Sequence, residues 1–120
     1  MTPSEYSKAQ AATACWRAAK DELPNVMLSV CQVFMNRADA SGKDLYEVVV
    51  EWLVENPGEF PDTRDPKFQQ LLSKLDTVTS KLAADTTGGA LWFERKSELK
   101  PDMLRAFQIT TTIGGLVFIK

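Results

Sequence analysis

The sequence predicts an α+β fold, mainly α, in a single domain over residues 1–120. Two changes of pattern carry this. Four stretches before residue 85 place apolar residues at helical spacing, and after Thr86-Thr87-Gly88-Gly89 the chain turns to short apolar and β-branched runs. A length of 120 residues with 44% hydrophobic content suits one core, and no repeat, low-complexity segment or linker interrupts it.

The elements follow in order. Helix 1 starts at Thr2-Pro3-Ser4-Glu5, with Thr2 as cap, Pro3 in the first turn and Glu5 closing a capping box. It is expected to reach about Glu22, before Leu23-Pro24. Ala14, Ala18 and Glu22, four residues apart, would then share one face beside Trp16. Asn25 is expected to cap helix 2, which carries Val26, Val30, Val33 and Phe34 and ends near Arg37, before an Ala40-Ser41-Gly42 loop. Asp44 with Glu47 opens helix 3, and Asn56-Pro57-Gly58 ends it. Asp65-Pro66 opens helix 4, with Phe68, Leu71, Leu72, Leu75, Val78 and Leu82 on its apolar face to about Ala84. ALWF reads as a short strand. AFQITTTI, Gly114-Gly115 and LVFIK read as a β-hairpin on a two-residue turn.

Composition narrows the chemistry. The chain has no histidine, so catalytic triads of the Ser-His-Asp and Cys-His kinds lack their base. A His-bearing zinc site is excluded, and two cysteines cannot make a four-cysteine one; no metal and no cofactor is expected. Cys15 and Cys31 fall on separate expected helices and read as buried packing thiols, with a disulfide as the alternative. A net charge of -2 argues against nucleic acid as a partner. The apolar runs are too short for membrane insertion, and MTPSEYSKAQ is too polar for a signal peptide. If the chain is an enzyme, carboxylates are its acid–base groups, and glycoside cleavage is the common reaction that carboxylates run alone.

Two loops are more elaborate than plain connections. NPGEFPD holds Glu59 and Phe60 between prolines that stiffen the backbone. DTTGGALWF joins paired glycines, free to take positive φ, to an aromatic pair. Alone, the first reads as a helix stop and the second as a helix-to-strand turn.

Taken together, ACWRAAKDELP, VCQVFMNRA, NPGEF and DTTGGALWF, in this order and spacing, resemble the SleB-like cell wall hydrolase family. Its members read (I/V)YGEARGEP, AVxxVVLNRV, PGQF and (D)PTGGALFF, and end on a strand similar to IGNHVFY. The resemblance covers roughly residues 12–120. It implies a lysozyme-like fold and cleavage of peptidoglycan glycan strands between N-acetylmuramic acid and N-acetylglucosamine, as a muramidase or a lytic transglycosylase.

Carried over residue by residue, the family's catalytic glutamate falls on Ala18 and its second glutamate on Glu22. Asn36 matches the asparagine of LNR and would bond to helix 1 or the cleft. Glu59 and Phe60 match the last two residues of PGQF, with Glu59 a candidate second carboxylate across from position 18. Thr87, Gly88, Gly89, Ala90, Trp92 and Phe93 match the segment expected to line a sugar groove. Trp16 and Trp52 read as core or groove wall. The last strand departs from the family, because Gly114-Gly115-Leu116-Val117-Phe118 has no histidine.

Glycosidic cleavage needs a carboxylic acid kept protonated near neutral pH, which a desolvating helix face provides. Alanine donates no proton. Either Ala18 replaces a parental glutamate as a knockout, the preferred account, or the chain is a natural pseudoenzyme or a glycan- or protein-binding module. The cleft is expected between helix 1, the Glu59 loop and Gly88-Gly89. The resemblance implies peptidoglycan strands as partner. It also implies synthesis in the cytoplasm and action in the periplasm or cell wall, after holin release or delivery by a secretion machine. In the second case a cognate immunity protein joins the expected partners.

Overall fold

The computed structural model describes residues 3–120, so the cap expected at Thr2 lies outside the described residues. Four helices are followed by a small antiparallel sheet: α1 (Pro3–Ala18), α2 (Pro24–Ser41), α3 (Leu45–Glu55), α4 (Pro66–Thr79) and strand β1 (Trp92–Arg95). A 3-10 turn (Lys96–Glu98) and a short helix α5 (Pro101–Ala106) lead to the hairpin β2 (Ile109–Ile113) and β3 (Leu116–Ile119). The fold is α+β and mainly α. No helix among the described residues is long and apolar enough to cross a membrane.

The element starts follow local chemistry. The Asp44 side chain accepts from the Tyr46 N–H at 2.8 Å and caps α3. Asp65 does the same for α4 through the Lys67 N–H at 2.9 Å. Helix α2 begins one residue before the expected cap: Pro24, whose fixed φ suits the first helical position, follows Leu23, and Asn25 lies inside. It also runs past Arg37 to Ser41, because Gly42, at φ 71°, is the first residue able to take the left-handed closing conformation cheaply.

Two helices stop short. Helix α1 ends at Ala18 rather than Glu22, since the Glu22 N–H turns back to the Ala19 carbonyl at 2.9 Å and Pro24 restricts Leu23 just beyond. Glu22 therefore leaves the face that Ala14 and Ala18 share. Helix α4 ends at Thr79 rather than Ala84. The Ser80 N–H and hydroxyl both bond to the Asp76 carbonyl, Lys81 takes φ 60°, and Leu82 is 83% exposed instead of packed.

One hydrophobic cluster takes side chains from Ala11 to Phe118, with Phe34, Phe118, Met27, Leu71 and Leu75 fully buried. The strand order is β1-β3-β2, so the strand after the Gly-Gly loop pairs with the last strand of the chain, Trp92 opposite Ile119 and Phe93 opposite Phe118. The hairpin turns at Gly114-Gly115 as expected. A bulge between Ile109 and Thr111 frees Thr110 from the ladder, and its hydroxyl donates to the Thr87 carbonyl.

The preferred thiol reading of Cys15 and Cys31 is corrected. They form a disulfide, with Cα atoms 5.8 Å apart and both residues buried. Packing α1 against α2 brings the two positions within bridging distance, a juxtaposition that sequence spacing does not disclose.

Candidate active site

A groove of about 700 Å³ opens where α1 ends. Its walls come from four places: Arg17 and Ala18 of α1, Arg37 of α2, Trp52 and Glu55 to Pro57 at the end of α3, and β1 with Trp92, Phe93 and Glu94. Ala18 is 8% exposed and reaches the groove from the buried end of its helix. Behind the groove, Phe34 holds Trp52 edge-on at 5.7 Å and Phe93 at 6.0 Å, so two of the lining aromatics stand on a core residue.

The groove has carboxylates that sequence reasoning missed. Glu55, Glu94 and Glu98 all line it. Burial raises the Glu94 pKa, the Arg95 N–H opposes that, and the neighbouring Glu98 carboxyl adds to the rise, leaving Glu94 above the ordinary carboxylate value. Strand alternation after the Gly-Gly turn was the available signal, since it puts Trp92 and Glu94 on one face.

The Glu59 loop is shaped by Arg17. Its guanidinium donates to the carbonyls of Asn56 (3.0 Å), Gly58 (3.1 Å) and Glu59 (2.8 Å), and lies 5.3 Å over the Phe60 ring. The Glu59 carboxylate turns outward to an exposed ion pair with Lys20. That hydrogen bond and charge hold its pKa below the ordinary value. Glu59 and the 78% exposed Phe60 are not among the residues lining the groove, which the loop enters through Asn56 and Pro57.

Thr87, Gly88, Gly89 and Ala90 are likewise outside the lining. They form a tight loop around Asp85, which accepts from the Thr87 N–H (2.8 Å), the Thr87 hydroxyl (2.6 Å), the Gly89 N–H (2.9 Å) and Asn36 (3.1 Å). Gly88 and Gly89 have φ of 68° and 80°, where glycine is the least strained residue. Asn36 also donates to the Ala90 carbonyl at 3.0 Å, so it ties α2 to this loop rather than to α1 or the groove. The loop thereby sets where β1, with Trp92 and Phe93, enters the groove wall.

Burial alone would raise the Asp85 pKa, but the bonds from Thr87, Asn36 and Gly89 outweigh it and hold the carboxyl below its ordinary value. A depressed folded pKa gives stability that is present above the unfolded value of about 3.9 and is lost as pH falls through the folded value. Asp85→Asn should therefore be less stable at neutral pH and show a flatter loss of stability below about pH 4, measured by urea unfolding at stepped pH. Parallel pH curves for the two proteins would contradict this.

Glu22 sits in the turn between α1 and α2, and its carboxylate accepts from the Gly115 N–H at 2.7 Å. A Cβ at Gly114 or Gly115 would come within 2.5 Å of that carboxylate, so the hairpin turn needs glycine for close approach as well as for φ 58° at Gly114. Glu22 ties the turn to the hairpin; it is absent from the 700 Å³ groove but lines, together with Ala18, a smaller cavity of about 190 Å³ beside it. Glu22→Ala should destabilise the fold by about 1–3 kcal/mol, read from the urea midpoint at unchanged slope. An unchanged midpoint would contradict the tie.

Compared with protein-family models, curated proteins and solved structures, the chain matches none.

Proposed function

We propose that the chain is a scaffold for cleaving peptidoglycan glycan strands, with position 18 the place of the general acid and Ala18 its catalytically silent occupant. The observation that carries this reading is the position of Ala18: desolvated, at the end of a buried helix, and open to a groove walled by Trp52, Trp92 and Phe93. A carboxyl on that carbon would emerge among aromatic faces suited to the C–H surfaces of sugar rings, with Glu94 and Glu98 in the same groove. The bond cut is that between N-acetylmuramic acid and N-acetylglucosamine, by a muramidase or lytic transglycosylase route.

The Cys15–Cys31 bridge supports a site of action outside the reducing cytoplasm, where disulfides persist. That fits a phage lysis protein released through a holin or a toxin delivered by a secretion machine, the latter with a cognate immunity protein. The knockout account, with glutamate in the parent chain, keeps the site's function. A natural pseudoenzyme that binds glycan without cutting it is the second reading, favoured by the alanine itself.

Binding tests both readings together. Under saturating chitotetraose, amide shifts in the NMR spectrum should cluster at Ala18, Asn56 and residues 92–95. Shifts elsewhere, or none, would overturn the proposal.

A further inference from the structure

The groove at Ala18 adjoins a second cavity of about 330 Å³, and the two share Arg37, Trp52, Glu55 and Trp92 as a common wall. Each volume alone is of the size that a small ligand fills, roughly 300–1,000 Å³. Two such compartments in series suit a linear ligand with units in both. Trp92, 45% exposed, stands at the seam.

Arg37 is half-buried at that seam. Its Nε donates to the Leu91 carbonyl, and its guanidinium lies 5.5 Å over the Trp92 ring. Among the described residues no acceptor bonds to its Nη1 or Nη2, and no carboxylate lies within ion-pair distance. The other arginines are engaged differently. Arg17 holds loop carbonyls, while Arg64, Arg95 and Arg105 each face an aspartate. Burial lowers the Arg37 pKa, and the field of Glu55 opposes that only in part, so the charge is incompletely compensated. A guanidinium anchored through Nε and an aromatic face, with both terminal nitrogens open, is a pre-formed fork for a carboxylate.

We infer that the seam is a subsite for a carboxylate-bearing unit of a linear glycan, gripped by the Nη1 and Nη2 donors of Arg37 while neighbouring units occupy the two cavities. The inference rests on the glycan reading of the Ala18 groove. The carboxylate can belong to the sugar itself, as in a lactyl ether, or to a peptide attached to it, since both present the same group to the fork.

Three tetrasaccharides distinguish the cases by titration calorimetry: chitotetraose, an alternating N-acetylglucosamine and N-acetylmuramic acid tetrasaccharide without peptide, and the same strand with peptides. An acidic strand should bind about tenfold or more tightly than chitotetraose at low salt, with the gap narrowing as salt rises. Tighter binding of the peptide-free strand assigns the carboxylate to the sugar. A preference confined to the peptide-bearing strand assigns it to the peptide. Arg37→Gln should abolish the preference, and Lys81→Gln, outside both cavities where Lys81 pairs with Asp39, should leave it intact. If Arg37→Gln does not fold, Arg37→Lys, which keeps the charge and loses the planar fork, should lose most of the preference. Equal affinities for neutral and acidic strands, or a preference that survives at Arg37→Gln or Arg37→Lys, would overturn the inference and leave the glycan reading standing. Absence of binding to all three would overturn that reading, and the subsite with it.

Discussion

Opening the Cys15–Cys31 disulfide should lower the stability of the fold by about 3 kcal/mol, the value expected for a closed loop of this length. The bridge spans 16 residues and joins α1 to α2 where both are buried, so its loss releases unfolded-chain entropy that the helices alone do not restrain. Urea unfolding with and without a strong reductant measures this without mutation. The reduced protein should unfold at a clearly lower midpoint, with a melting temperature lower by roughly 10–20 °C. Cys15→Ala with Cys31→Ala should fall at least as far, because it also removes two buried sulfurs. Coincident midpoints for oxidised and reduced protein would show that the bridge adds nothing to the fold.

Some of this was legible in the sequence and some was not, for separable reasons. The caps at Asp44 and Asp65 were legible because they are local, each bonding to an N–H two residues on, whereas at Asn25 the proline before it took the first helical position instead. The Gly114-Gly115 hairpin was legible for the same reason. Helix ends were read too long at Glu22 and Ala84, because apolar spacing continues past the point where the backbone finds other partners, at Ala19 and at Asp76. The pairing of β1 with β3 and the disulfide depend on which surfaces meet in three dimensions, and no local pattern encodes that.

The site divides the same way. Position 18, Trp92 and Phe93 come together in one groove. Glu22, Asn36, Thr87, Gly88, Gly89, Ala90, Glu59 and Phe60 lie beside or behind it. Several hold the loops that shape it, through bonds to Gly115, Asp85 and Arg17. Glu94 was legible only through strand alternation with Trp92, Glu98 had no local signal, and it is the packing of β1 against α2 and β3 that brings them into the groove with Ala18.

Ala18→Glu should raise glycan-strand cleavage by about 10²–10⁴-fold over the chain as it stands, the range associated with one positioned proton donor. The carboxyl would leave a backbone that is almost fully buried, and desolvation favours its neutral form. Glu55, Glu94 and Glu98 line the same groove and push in the same direction, while Arg17, Arg37 and Arg95 oppose them. The new acid should therefore titrate above the ordinary glutamate value of about 4.3, and the rate should fall as pH rises through its pKa. Glu22→Gln in that background should reduce activity far less, since Glu22 acts on the hairpin and Gln can still accept from the Gly115 N–H.

The most direct measurement is mass spectrometry of the material released from purified peptidoglycan by the chain and by Ala18→Glu, at equal concentration and with both shown to be folded by circular dichroism. The account predicts soluble fragments ending in N-acetylmuramic acid, or in its anhydro form, from the glutamate variant and almost none from the alanine chain. Equal inactivity of the two folded proteins would contradict it.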